Sequence, residues 1–552
     1  MNKLGDLLAQ GKTDEVWQRC CGFIDLGLDE FMKIQKRLLM EQIELLKRCE
    51  LGNYIMRGIK PATVEEFRET VPLTTYKDYA PYLLRRRKDV LPGKPLTWIH
   101  TSGRSGEYPF KWVPVTKRQY EEMGDPFYST LIFGSCRDRG DVRLKKNDKL
   151  LYALAPSPYL TGMGGRRIHE EGIIEFLPPI DEAEGMEFAD RIQEGFRLAL
   201  LEGMEWFGGL SSVLVAVADR FSQGDGNIDV KPLLRRPRTL LRLVKGLLRS
   251  KLARRPLLPR DIWKIKGILA SGTDTQVFRD KIKDKWGVNP VEAYGCTEGL
   301  LIAIQTWDFR GMTFIPNLNF LEFIPEEDSR KSREDPSMKP RVLLLDEVEA
   351  NHNYEMVITN FYGGALTRYR LGDLIQITEL RNDRLDIDIP QMEFHARGDD
   401  VIDIAGFTRL TERVIWKAIE NSELAYSDWT LRKEEVKGKT MMHLYIELKN
   451  GYFAPEYVRR CIHEELKKLD QPYAELESFV AIDPLQVTLL PQGVFQNYML
   501  KQKEAGADLA HLKIPHINPS GKMIEFLLAT GKVPVAPVNR RGRRRSRVPT
   551  GS

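Results

Sequence analysis

The stretch His100-Thr-Ser-Gly-Arg-Ser-Gly-Glu-Tyr-Pro-Phe-Lys111 carries the sharpest local signal in the chain. Two glycines stand among hydroxyl residues, and a lysine follows five positions after the second. A loop that wraps phosphate needs these parts: glycine lets backbone N–H groups turn toward oxyanions, hydroxyls donate further bonds, and the cation offsets charge. The Walker pattern GxxxxGK[ST] does not occur. A Gly/Ser turn also serves as a plain connection between elements, so its weight depends on its surroundings.

Upstream of it, residues 1–90 read as helical. Leu39, Ile43 and Leu46 recur at helical spacing, and Pro61 with Thr63 marks a helix start ahead of Val64. Between about 98 and 380 short apolar runs alternate with helical segments. Runs at 150–154, 213–217, 265–269, 320–324 and 356–361 predict buried strands and a mostly parallel α/β sheet. After 397–400 a smaller unit begins. It has a predicted helix at 412–422, a strand at 441–448, a helix at 455–469 and strands near 479–482 and 487–490. Met442, Leu444, Ile446 and Leu448 alternate with more polar residues, which predicts a sheet with one face in water. Residues after about 530 are rich in Pro, Arg, Gly and Ser without periodicity and read as a disordered basic tail.

The chain has 552 residues, 42% hydrophobic and 29% charged, which is enough for several cores and excludes collagen-like or wholly disordered classes. It has no run of about 18 apolar residues and no basic-then-apolar leader, and its six cysteines form no CxxC pair, so it reads as cytoplasmic. Charge is unevenly distributed. Residues 231–260 hold eleven Lys/Arg and no acid, and the tail holds six arginines; removing both from a net +5 leaves −12. An acidic body with basic appendages is not built for nucleic acid throughout, and no nucleic-acid partner is expected. Within the basic segment Leu240, Leu241, Val244, Leu247 and Leu248 form an apolar stripe among Arg238, Arg242, Lys245 and Arg249. Such a helix either packs on the body with a solvated cationic face or lies on an anionic membrane.

Three segments downstream raise the weight of the loop. They are Val291-Glu-Ala-Tyr-Gly-Cys-Thr-Glu-Gly299, with Ser271-Gly-Thr273 before it; Leu366-Thr-Arg-Tyr-Arg-Leu-Gly-Asp373; and Phe394-His-Ala-Arg-Gly-Asp-Asp-Val-Ile-Asp-Ile-Ala-Gly406. In this order and spacing the set resembles the AMP-forming adenylating superfamily. Within it the chain looks most like the Gretchen Hagen acyl-acid amido synthetases and, less closely, the phenylacetate-CoA ligases. Val71-Pro-Leu-Thr-Thr-Tyr-Lys-Asp-Tyr-Ala80 and the overall length are similar to the amido synthetases, and the resemblance spans about 35–525.

The resemblance implies a large N-terminal α/β adenylation domain (1–396), a hinge at 397–400 turning on Asp399 and Asp400, and a small C-terminal α+β domain (401–527). It implies ATP and Mg²⁺ as cofactors. Thr101, Ser102, Ser105 and Lys111 would hold the triphosphate. Ser271, Gly272, Thr273 and Tyr294 would frame adenine, and Thr297 and Glu298 would meet phosphate and metal. Asp373 would accept both ribose hydroxyls, as a carboxylate can, with Arg397 donating from the other side. Outside such a set, Asp373 would read as a solvated loop-end acid, and Arg397 with Asp399 as a surface ion pair of ~0–1 kcal/mol. Asn518-Pro-Ser-Gly-Lys522 is similar to the superfamily's terminal Asn-x-x-Gly-Lys element, with Lys522 reaching the reacting carboxylate. Lys513, in Lys-Ile-Pro-His, matches a Lys-x-Pro element of the amido synthetases and is its rival. The loop departs from the family at Arg104, where Thr or Ser is usual.

The implied reaction activates a carboxylic acid to an acyl-adenylate and transfers it to an amino acid. The alternatives are a carboxylic acid–CoA ligase or a non-catalytic adenylation-fold binding protein. No GxSxG and no metal-ligand spacing occur among the eight histidines, and His395 reads as structural rather than acid/base.

Overall fold

In the computed structural model the described residues are 3–529, apart from 102–107, 109, 224–236, 272–274, 336, 399–400, 405–407, 437–438, 450–452, 472, 475–483 and 505–512. The chain opens on helices, as the apolar spacing predicts. The helix Leu28–Leu46 buries Phe31, Leu38, Leu39, Ile43 and Leu46 on one face. Its buried Gln35 ties that face to the sheet: Nε2 donates to the Pro316 and Asn319 carbonyls (2.5 and 2.7 Å), and Oε1 accepts from the Leu321 N–H (2.9 Å). The helix Val64–Thr70 begins where Thr63 Oγ1 accepts the Glu66 N–H at 3.1 Å, an N-cap of the expected kind.

The strands, in chain order, are β1 (Pro95–His100), β2 (Trp112–Thr116), β3 (Asp148–Ala153), β4 (Ile174–Leu177), β5 (Trp206–Leu210), β6 (Gly267–Ser271), β7 (Pro290–Cys296), β8 (Leu300–Gln305), β9 (Met312–Phe314), β10 (Asn319–Pro325), β11 (His352–Asn360), β12 (Tyr369–Glu379), β13 (Gln391–Arg397), β14 (Val401–Ile404), β15 (Thr408–Thr411), β16 (Tyr426–Val436), β17 (Lys439–Leu448) and β18 (Leu485–Leu490). Eleven of them form one sheet in the order β10-β11-β12-β13-β9-β8-β7-β6-β5-β3-β4. The five from β7 to β4 run parallel, and from β7 to β10 every pairing is antiparallel. The sheet is therefore mixed, not mostly parallel. The expectation failed because β7–β8, β8–β9 and β11–β12 return through connections of three to eight residues, too short for the crossover that a parallel pair needs.

Three expected strands matched their elements closely: 150–154 as β3, 320–324 as β10 and 356–361 as β11. The run at 265–269 is β6, set two residues later. The run at 213–217 is a correction, because it lies inside the helix Ser211–Gln223 and the strand is the preceding Trp206–Leu210. A short apolar run does not by itself distinguish a buried strand from a buried helix face.

In the C-terminal unit β16 pairs antiparallel with β17, and β17 parallel with β18. Its sheet was expected to wet one face; instead both faces of β17 are covered. Met442, Leu444 and Ile446 pack into one cluster with Val458 and Ile462, while Tyr445 packs on the other side with Leu490, Phe495 and Leu527. The covering helices Val494–Glu504 and Gly521–Ala529 follow β18 and have no counterpart in the β17 alternation. The strand near 479–482 and the tail beyond 529 lie outside the described residues.

Candidate active site

A cleft of about 430 Å³ opens where β3, β5, β6 and β7 end: Ala153, Leu210, Ala270 and Cys296 line it. β7 is parallel to β6 on one side and antiparallel to β8 on the other, so the cleft sits where the direction of the sheet changes. The region outside the carboxyl ends of parallel strands is the usual ligand crevice of an open α/β sheet.

Asp373 and Arg397 face each other in register across β12 and β13, with Arg397 Nε 3.4 Å from Asp373 Oδ1. The Tyr294 hydroxyl donates to Asp373 Oδ2 at 2.8 Å. Burial pushes the Asp373 carboxyl above the usual range, against the pull of Arg397 and Tyr294. The backbone beside Asp373 is fixed by Gly372, whose φ of 78° suits glycine and whose carbonyl accepts the Gly398 N–H at 2.7 Å. The two arginines just upstream anchor β12 from behind. Arg368 holds Glu322 at 2.9 Å, and Arg370 holds Glu355 at 2.5 Å.

The phosphate-loop residues meet the same cleft. Thr101 N–H donates to the Lys111 carbonyl and Lys111 N–H to Thr101 Oγ1, both at 3.1 Å, so the loop is clasped at its mouth. Thr297 Oγ1 donates to the His100 carbonyl at 3.4 Å, joining the end of β7 to that clasp. His100 is buried against Phe110, Trp112 and Tyr159, and burial lowers its pKa. Burial also raises the Glu298 carboxyl, with Lys111 as the principal opposing charge.

The structure thus gathers Thr101, Lys111, Tyr294, Thr297, Glu298, Asp373, Arg397 and Lys513 around one cleft, with His395 on the same wall. Arg397 pairs with Asp373 rather than standing as a surface pair. Ser102, Arg104, Ser105, Gly272, Thr273, Asp399 and Asp400 lie outside the described residues, as does the side chain of Ser271 at the end of β6. Lys522 is exposed at the start of the helix Gly521–Ala529 and does not line the cleft. Among the described residues no group of three or more His, Cys, Asp or Glu could hold a metal; Glu298 and Asp373 are carboxylates lining the same cleft.

Sequence reasoning passed over the far end of the cleft. Glu292 is held by Arg279 at 2.5 Å, and burial pushes its carboxyl up. Arg413, at the start of the helix Glu412–Asn421, reaches Glu393 at 3.1 Å and also bonds Gln276. Glu292 lay within a quoted motif, but no local signal showed that Arg413 of the small unit would enter the large unit's cleft.

Three stretches, in order along the chain, match profiles of one family: "GH3 family N-terminal domain" over 22–162, "GH3 family central domain" over 312–397 and "GH3 family C-terminal domain" over 411–522. Among curated relatives, the jasmonoyl–L-amino acid synthetase GH3.5 of Oryza sativa subsp. japonica is 22% identical over 90% of this chain and 94% of its own. The indole-3-acetic acid-amido synthetase GH3.3 of Arabidopsis thaliana is 26% identical over 39% of this chain, a match spanning 36% of that protein. Among solved structures, the acyl acid amido synthetase AtGH3.15 in complex with 2,4-DB covers 92% of this chain and 95% of its own, with TM-score 0.65 and 20% identity. A 2-hydroxyisobutyryl-CoA ligase with 2-HIB-AMP covers 92% and 93%, with TM-score 0.60 and 14% identity, so the fold is shared with adenylating ligases. With its three domains matched in order over more than half its length, the chain belongs to the GH3, or Gretchen Hagen, family.

Proposed function

We propose that the protein is an ATP-dependent, AMP-forming acyl-acid amido synthetase. The observation that carries this reading is the single cleft shared by a clasped phosphate-type loop, the Asp373–Arg397–Tyr294 group and Lys513 of the C-terminal unit. The wall formed by Leu154, Ala155, Tyr159 and Leu210 is apolar and suits an acid with an apolar body. Family membership and relatives named as amido synthetases support the amino acid as acceptor.

In this reading Asp373 receives the ribose hydroxyls and Thr101, Lys111 and Thr297 the phosphates. A carboxylate oxygen of the acid attacks the α-phosphorus, the α–β bond breaks, and pyrophosphate leaves. Lys513 spans the attacking carboxylate and the α-phosphate, a task suited to a compact ammonium. Its position in the cleft lining favours it over Lys522. The amino group of the acceptor then attacks the acyl carbon and AMP leaves. Catalysis is mostly charge neutralisation and alignment. Glu298 is a carboxyl whose burial disfavours its charge, and such a group fits a divalent cation as partner. Mg²⁺ bound there with the triphosphate would supply further neutralisation. Between the half-reactions the small domain (401–527) turns against the large one (1–396) at Asp399 and Asp400.

Pyrophosphate release across a panel of acids, with amino acids or CoA as second substrate and mass spectrometry of products, tests the reading. Acid-dependent release with acyl-amino acid product is expected. Acyl-CoA as sole product would reassign the acceptor, and no acid-dependent release would refute the activity.

A further inference from the structure

The helix Pro237–Leu252 is inside out. Toward the body it turns Thr239, Leu243, Gly246 and Ser250, a mostly small and polar face. Thr239 Oγ1 donates to the Leu201 carbonyl at 2.6 Å, and a Cβ on Gly246 would lie 3.2 Å from the Asp261 carbonyl oxygen, so this face is seated closely. Toward solvent it presents Leu241, Val244, Leu247, Leu248 and Leu252, exposed by 54, 44, 47, 55 and 87%. Five of the thirteen large exposed apolar side chains among the described residues thus lie on one helix. Singly scattered ones need no explanation, whereas a contiguous row marks a surface built to be covered.

Charge narrows what can cover it. Lys245, Arg249 and Lys251 are exposed on the same helix, and Arg254 just beyond it. Neighbouring acid is already engaged: Asp261 is held by Arg255 at 2.7 and 2.8 Å, and Asp284 by Arg260 at 3.2 Å. No acidic residue occurs from 231 to 260. A nucleic acid would satisfy the cations but leave five aliphatic side chains in water. A second copy would bring two basic flanks together. An anionic bilayer accepts both at once, with aliphatic side chains in the acyl boundary and cations at the headgroups.

We propose that this outward face docks the protein on an anionic lipid surface, with the helix lying in the plane of the interface. Among the described residues no helix is long and apolar enough to cross a membrane, and sixteen residues at ~1.5 Å each give a rod of about 24 Å. Lys251, beside the apolar row, reaches the headgroups along its stem. The helix belongs to the connection between β5 and β6, whose ends line the cleft, so docking tethers the cleft to the membrane whatever acid it takes.

The test is co-sedimentation of the full chain with phosphatidylcholine vesicles, with and without phosphatidylserine. It compares wild type with L241E/L248E and with K245E/K251E, whose mutated side chains are exposed, and uses circular dichroism to verify folding. Binding to the phosphatidylserine vesicles is expected, weakened by salt and reduced about tenfold or more in each variant. The proposal is overturned by no binding to those vesicles. Binding untouched by either variant would also overturn it, by assigning attachment to the Arg-rich tail. A dimer in light scattering that L241E/L248E dissolves would make the face an interface between copies instead.

Discussion

Asp373 and Glu298 are carboxylates held in an environment that resists their charge. At Asp373, Arg397 and Tyr294 only partly offset burial. Asp373→Ala removes an acceptor pair without opening the apolar core, so pyrophosphate exchange should vanish while the far-ultraviolet spectrum stays unchanged. Retained exchange would sink the assignment of Asp373 to the nucleotide. Glu298 gives a prediction for stability as well as activity. A carboxyl whose folded pKa lies above its unfolded value costs the fold stability above that folded pKa, and the cost disappears below the unfolded one. Glu298→Gln should therefore raise Tm at neutral pH while lowering activity. Calorimetry alongside an exchange assay checks both, and a fall in Tm would mean that the charge is compensated in the folded protein.

Two elements rest on buried charges that no motif assigns to chemistry. β12 is pinned by Arg368, which forks onto Glu322 at 3.1 and 2.9 Å and also donates to the Arg68 and Val71 carbonyls. Arg368→Ala leaves the buried Glu322 carboxyl with Arg68, 3.7 Å away, as its remaining cation, so a loss of about 3 kcal/mol in urea unfolding is expected. A loss under about 1 kcal/mol would show that the pair is not buried as described. In the C-terminal unit His516 lies between Glu412 and Asp428, at 2.7 and 2.8 Å, stacked on Trp429 and edge-on to Trp416. Hydrogen bonds and charge from the two carboxylates outweigh burial and raise its pKa from 6.5 to about 9. The charged ring thus contributes its full stabilisation below pH 6.5 and loses it as pH rises toward 9, on the order of 3 kcal/mol. Tm should fall over that alkaline window in wild type and stay flat in His516→Gln. Parallel profiles would remove His516 as the titrating group.

At the scale of the whole molecule, the C-terminal unit carries two candidate lysines nine residues apart, of which Lys513 lines the cleft and Lys522 stands exposed outside it. His516 helps fix the strand-like segment that carries Lys513, since the His516 carbonyl accepts the Leu431 N–H at 2.7 Å. Lys513→Ala should slow adenylate formation by a few powers of ten, about 3–5 kcal/mol at ~1.4 kcal/mol per decade. Given pre-made acyl-adenylate, the same variant should still transfer the acyl group, and Lys522→Ala should alter neither step. If Lys522→Ala alone separates the half-reactions, the domain must turn far enough to bring the helix Gly521–Ala529 into the cleft.

What the sequence determined on its own was local and chemical. The glycine and hydroxyl spacing of the loop, Asp373 after its glycine, Arg397 near the domain boundary and the order of these motifs were enough for the fold class and the family. They are legible because each depends on backbone geometry within about ten residues. Tertiary structure alone decided what depends on which surface covers which. The run at 213–217 became helix, and β17 gained a second covered face from helices that follow it by some fifty residues and more. Lys513 rather than Lys522 reached the cleft, and Arg413 entered it from the other unit. The basic helix turned Leu241, Leu247, Leu248 and Leu252 to solvent and Leu243 to the body, although its pattern equally allowed the reverse. Periodicity states that a helix has two faces; only packing against Leu201 and Asp261 chose which one the body would hold.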